Sequence, residues 1–125
     1  MTGIRQCRTV QEVIAEIVSL SAYESQVSAL MDEEERAAME FFIARGAEDH
    51  PIVAGTGGFR KARWARRGGG KSGGFRVIYF FAGERSRIYM ASIYAKSRKG
   101  TLTAADRSVL SKLAREIKDA LRGDS

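Results

Sequence analysis

Apolar and polar positions follow two rhythms along this chain, and the rhythms divide it. Between residues 21 and 45 the spacing is helical. Tyr23, Val27 and Leu30 line one face of a predicted helix over 21–31. A second helix is opened by Asp32 as N-cap with Glu35 three positions on, and the acidic run 32–35 suits the positive end of its dipole. Its apolar stripe is predicted to be Ala37, Ala38, Phe41, Phe42 and Ile43, with Gly46 as the stop. Between residues 59 and 95 the pattern becomes strand-like. Three runs, 59–65, 74–82 and 87–95, are rich in β-branched and aromatic residues, and GERS between the last two is short enough for a hairpin. Thr103 and Asp106 then form a capping box for a helix to about Leu121, with Val109, Leu110, Leu113, Ile117 and Leu121 as its apolar face. The earlier stretch EVIAEIVSL fits a helix by spacing and a short strand by its β-branched density, and the residues alone leave both readings open. Residues 1–11 are polar and mixed, so a flexible tail is expected there, followed by a single domain over 12–125.

Strand parity decides where charged side chains point. Lys61 and Arg63 share one face while Ala62 and Trp64 share the other, and Arg76 lies opposite Phe75, Val77 and Tyr79, outside the expected core. The predicted fold is α+β: after the ambiguous first stretch, two helices, a small antiparallel sheet and a terminal helix, with helices packed on one face. The other face is then partly open and lined by cations. A wet sheet face is ordinary, but wet faces mix signs, and here strand acids are missing.

Charge sharpens this picture. The chain has 21 basic and 15 acidic side chains, a net +6. Residues 1–49 hold 4 basic and 10 acidic ones, residues 50–99 hold 12 and 1, and residues 100–125 hold 5 and 4. The excess therefore sits in the strand region. Residues 55–81 carry seven cations and no acid, a field that must be solvated or meet a polyanion such as RNA. Arg60, Arg66, Arg67, Lys71, Arg98 and Lys99 are the candidate contacts to backbone phosphates.

Several motifs lead nowhere. ARRGGGKS imitates a P-loop, and Gly68, Gly70 and Gly73 spell G-x-G-x-x-G, yet both need a helix directly after the glycines and FRVIYFF follows instead. His50, the only histidine, is assigned to loop surface. A histidine-pair nuclease is thus excluded. Metal-dependent chemistry lacks ligands, because Glu84 is the one carboxylate among residues 50–99. Trp64, Phe75 and Tyr79 are assigned to the core, and Phe80 stands between core and base stacking. A lone Cys7 permits no internal disulfide, no run is long and apolar enough to cross a bilayer, and no secretory signal is expected, since MTGIRQCRTVQEV lacks an apolar stretch. A soluble cytoplasmic protein without cofactor or membrane partner is expected.

The segments GTGGFRKARWA, GKSGGFRVIYFF and IYMASIYAKSRKG, in that order, resemble the RelE/ParE superfamily of toxins from type II toxin–antitoxin pairs, and within it the HigB-like branch. The likeness spans about residues 24–115. It implies a strand for the ambiguous first stretch, and so the RelE-like order β-α-α-β-β-β(-α), together with a cognate antitoxin and cleavage of mRNA on the ribosome, so that mRNA and ribosomal RNA join the expected partners. It matches Lys61 and Arg63 to the family's basic pair, Arg76 to its arginine on the next strand and Lys96 to the basic position closing the last. Some relatives supply a tyrosine beyond the last strand, whereas no tyrosine follows Tyr94 here.

The expected activity is therefore a metal-independent endoribonuclease, an mRNA interferase. Arg63 and Arg76 would stabilise the phosphorane. Lys61 is the candidate base, since neighbouring cations disfavour its charged form. Lys96 would protonate the leaving oxygen, with Tyr94 as substitute. Two rival readings are a ParE-like topoisomerase inhibitor without chemistry, for which a dense cationic face is superfluous, and a non-catalytic RNA-binding module.

Overall fold

The sheet forms around the run FRVIYFFA, which is apolar on both alternations and so must be covered on both faces. The computed structural model describes residues 8–9, 15–65, 74–98 and 100–123. Its elements are β1 (Arg8–Thr9), β2 (Glu16–Ser19), α1 (Ser21–Leu30), α2 (Glu33–Arg45), β3 (Arg60–Trp64), β4 (Phe75–Ala82), β5 (Arg87–Ala95) and α3 (Ala104–Gly123). The five strands lie in the order β1-β2-β5-β4-β3. Pairing is antiparallel throughout except between β2 and β5, which are parallel. The α+β class and the expected element order are both present, with β1 added in front. The stretch that fitted helix and strand equally contains β2.

α1 and α2 cover one face of the sheet. Tyr23, Val27, Met39 and Ile43 pack there against Ala62, Phe75, Val77, Tyr79, Ile88 and Met90, all buried. α3 lies on the opposite face, where Leu110, Ala114, Ile117 and Leu121 meet Phe59, Ile78, Phe80 and Ala82. The expectation of helices on one face thus holds for α1 and α2, and the terminal helix takes the other side. Both capping signals form as read: Asp32 Oδ1 accepts from Glu35 N at 2.8 Å, and Thr103 and Asp106 cap each other reciprocally at 3.1 and 2.9 Å.

α3 is seated by the loop before β3. Thr56 Oγ1 donates to Val53 O and accepts from Phe59 N, closing a tight turn. Within it Gly57 has φ 78°, and a Cβ there would stand 2.9 Å from that of Ala114. Only glycine lets the turn approach α3 so closely.

α2 departs from its predicted orientation. Its buried residues are Arg36, Met39, Glu40, Ile43 and Ala44, whereas Ala37, Ala38, Phe41 and Phe42 are exposed. The reason is a closed polar network. Arg36 donates to Glu40 Oε2 (2.8 Å), to both Glu24 oxygens (2.8 and 3.0 Å) and to Ser19 Oγ (3.2 Å), and Tyr23 Oη donates to Glu40 Oε2 at 2.6 Å. Burial alone would weaken the arginine's hold on its proton, but the carboxylates of Glu24 and Glu40 reverse this and raise its pKa. Burial, with the charge of Glu40, also pushes the Tyr23 hydroxyl up. Satisfied in this way, two charged side chains occupy positions that periodicity assigns to apolar ones.

Candidate functional site

Strand register places the candidate residues in rows across the α3 face of the sheet. Arg63 stands opposite Arg76, and Arg76 opposite Tyr94, on three adjacent strands. Neighbours so paired have Cβ atoms about 5 Å apart. One step along, Lys61 stands opposite Ile78 and Ile78 opposite Ser92. Beyond that row the face is closed, because the Phe59 and Phe80 rings, 5.4 Å apart, lie in the core beneath α3. The terminal helix therefore divides one sheet face into an apolar half under cover and a cationic half beside it.

Exposure differs within the cationic half. Arg63 and Lys96 are exposed, Lys61 and Tyr94 half-buried. Arg76 points to the expected side of the sheet, yet it is only 5% exposed, so the expectation that it stands clear of the interior does not hold. It lies on the middle strand of the row, flanked on both sides. Lys96 closes β5, its N–H donating to Gly74 O at 3.0 Å. That contact needs Gly74, with φ 62°, since a Cβ there would lie 2.3 Å from Trp64 O. Arg98 is exposed in the turn that follows, its N–H bonded to Ala95 O.

Not every predicted residue joins this group. Arg60 is the Cα partner of Tyr79, on the α1/α2 side, and its guanidinium donates to the carbonyls of Glu48 and His50 at 3.1 and 2.8 Å. It secures the loop after α2. Arg66, Arg67, Lys71 and Lys99 lie outside the described residues, as do Cys7 and the glycines at 68, 70 and 73.

The aromatic side chains are mostly structural. Phe75, Tyr79 and Phe80 are buried, which settles Phe80 as core, while Trp64 is half-buried and donates through Nε1 to Glu35 Oε2 at 3.0 Å. Tyr79 donates to Ala47 O at 2.7 Å, and burial pushes its pKa up to about 12. His50 is not free loop surface: its ring packs against Phe42 and Tyr79, at centroid distances of 5.4 and 6.2 Å. Burial lowers its pKa, Asp49 opposes that, and Arg60 adds to it. Among the described residues no group of three or more His, Cys, Asp or Glu side chains is gathered to hold a metal ion.

Sequence reasoning missed Gln26. Its Oε1 accepts from Ile93 N at 2.9 Å and from Ser92 Oγ at 3.2 Å, so α1 satisfies the edge of β5 where β2 has ended. The signal was a polar residue beside Tyr23 and Val27 on an otherwise apolar stripe.

A family model described as the RelE toxin of the RelE/RelB toxin–antitoxin system matches residues 25–123. The chain belongs to the RelE toxin family. The match begins within α1 and takes in α2, β3 to β5 and α3, so the cationic half of the sheet lies wholly within it. As a RelE toxin the protein is the toxin of a toxin–antitoxin pair, with an antitoxin as its partner, and toxins of this family are generally mRNA endoribonucleases. Among the described residues no helix is long and apolar enough to cross a membrane.

Proposed function

We propose that this toxin cleaves mRNA on the ribosome, in the cytoplasm and without a metal ion, by attack of an RNA 2′-hydroxyl on the adjacent phosphate. The observation that supports it is the row Arg63–Arg76–Tyr94 with Lys61 one step away on the same half-face. A phosphodiester seated on the two arginines meets preorganised donors, each typically worth ~3 kcal/mol to a developing oxyanion. Lys61 accepts the 2′-hydroxyl proton as the new P–O bond forms. The bond to the 5′-oxygen breaks, and Lys96, or Tyr94 in its place, returns a proton to that oxygen. The products are a 2′,3′-cyclic phosphate and a 5′-hydroxyl end. Each proton transfer contributes ~10²- to 10⁴-fold. Arg98 and the basic residues 66, 67, 71 and 99 hold flanking phosphates.

Mapping transcript 5′ ends after induction tests this reading. Codon-phased cuts confined to translated messages support it. A DNA-damage response without new RNA ends would instead favour a ParE-like inhibitor, and RNA binding with neither effect would favour a passive module.

For the antitoxin, the proposed docking surface is the outer side of α2. Ala37, Ala38, Phe41 and Phe42 face solvent there, Phe41 and Phe42 at 37% and 39% exposure, between Glu33 and Glu34 at one end and Arg45 at the other. An apolar contact of this kind is weakly salt-dependent, whereas a partner lying over Lys61, Arg63 and Arg76 would be released by salt, since exposed charges are screened over ~8 Å at physiological ionic strength. Antitoxin affinity is expected to survive a Lys61/Arg63/Arg76 triple-alanine substitution and to fall on Phe41→Ser. The opposite pattern would place the partner in the cleft.

A further inference from the structure

The fold leaves one apolar stripe unburied. Periodicity assigns Ala37, Ala38, Phe41 and Phe42 to the core side of α2, yet the network around Arg36 and Glu40 takes that side and turns the stripe to solvent. Of the four large apolar side chains exposed among the described residues, Phe41 and Phe42 are the two consecutive ones. Both rings are held in place. Phe42 packs on Trp64 and His50, at centroid distances of 5.6 and 5.4 Å, and the Arg45 guanidinium lies over the Phe41 ring, 5.5 Å from its centroid. A preformed apolar patch of this kind marks an interaction surface.

The order of residues along the patch says what covers it. Glu33, Ala37, Phe41 and Arg45, spaced by four, form one ridge of α2, and all of them are exposed. Read from the helix start, the ridge runs acid, small, ring, base. Reversed, it complements itself. We propose that the outer side of α2 binds a second copy of this chain, with the two helices antiparallel about a two-fold axis midway along the ridge. Glu33 then meets the partner's Arg45, and Ala37 leaves the hollow that the partner's Phe41 fills, each contact occurring twice. The two charge pairs bracket the rings, because Glu33 and Arg45 stand roughly 18 Å apart along the helix. Antiparallel helices crossing at about 20° stay close over that length. The charges also select the direction, since parallel copies would set Glu33 against Glu33 and Arg45 against Arg45.

One helix pair gives an interface at the small end, under about 1,200 Å² in total, so a dissociation constant in the micromolar range is expected. The antitoxin surface proposed for this toxin is the same face. The two partners therefore exclude each other, and the dimer is the form the toxin takes without its antitoxin. Its formation does not depend on RNA cleavage.

Sedimentation equilibrium of the purified full-length toxin tests this, with concentrations taken to about 200 µM so that a micromolar dimer is populated. The expected result is a monomer–dimer equilibrium. Glu33→Arg and Arg45→Glu each set like charges face to face and should weaken the dimer at least about tenfold; both positions are exposed, so folding is not at stake. Mixed in equal amounts, the two variants should associate again, because every charge then meets its opposite. The double variant should pair with itself for the same reason. A wild type that stays monomeric overturns the proposal. So does a dimer that both single reversals leave intact, or a mixture that stays monomeric after each variant has lost its own dimer.

Discussion

The two faces of this sheet handle charge in opposite ways. On the α1/α2 face, Arg36 and Glu40 are each 2% exposed and locked to Glu24, Tyr23 and Ser19, so the charges are consumed inside the fold. On the α3 face, Arg63 is exposed, Lys61 is half-buried and Arg76 lies buried next to Arg63, all beside the apolar half on which α3 packs. A buried arginine with a full set of carboxylate partners is architecture. Cations gathered where the cover stops are where a polyanion can be met.

If this contrast is right, substitutions should separate cleavage from stability. Arg76→Ala is expected to have the largest effect: growth inhibition abolished, cleavage down by at least ~10²-fold, and, because Arg76 is buried, a lowered melting temperature as well. Sustained toxicity in this variant would move the chemistry off this face. Arg36→Ala should cost about 3–5 kcal/mol in urea unfolding, since it strands Glu40 in the interior. Its cleavage rate per folded molecule should match the wild type, and a loss there would link the two faces. Trp64→Ala should cost about 2 kcal/mol, less than a fully buried aromatic, because the indole is half-exposed and holds Glu35 by one hydrogen bond. An unchanged melting temperature would free Trp64 for base stacking.

The smallest effect concerns pH. The His50 pKa is lowered in the folded state, so the unfolded chain binds the extra proton first. The stabilising contribution is therefore present above about pH 6.5 and is lost as pH falls through the folded value. His50→Phe, which retains a ring against Phe42 and Tyr79, should flatten the melting-temperature profile between pH 7 and 5. An equally steep profile would mean another group titrates.

Much of this fold was readable from the chain. The capping residues Asp32 and Thr103 bracketed their helices because an N-cap works through local hydrogen bonds, and strand parity put Lys61, Arg63 and Arg76 on one side because that is fixed by geometry. What escaped depended on distant partners. α2 was turned the wrong way because Arg36 looks solvated until Glu24, Tyr23 and Ser19 arrive from elsewhere. Arg60 was grouped with its neighbours in sequence, although parity already put it with Ala62, and its hydrogen bonds run to the loop after α2. The burial of Arg76 was hidden for a similar reason: a strand's place in the middle of a sheet is a property of topology, not of its own residues.

The most direct test of the cationic half-face is the single-turnover cleavage rate of Arg63→Ala on programmed ribosomes, measured beside its melting temperature. Arg63 is exposed on the edge strand, so its removal should leave stability unchanged within about 0.5 kcal/mol. The expected result is an unaltered melt with cleavage slowed by ~10²- to 10³-fold. A rate within a few-fold of the wild type would contradict the assignment of this face as the site of RNA cleavage.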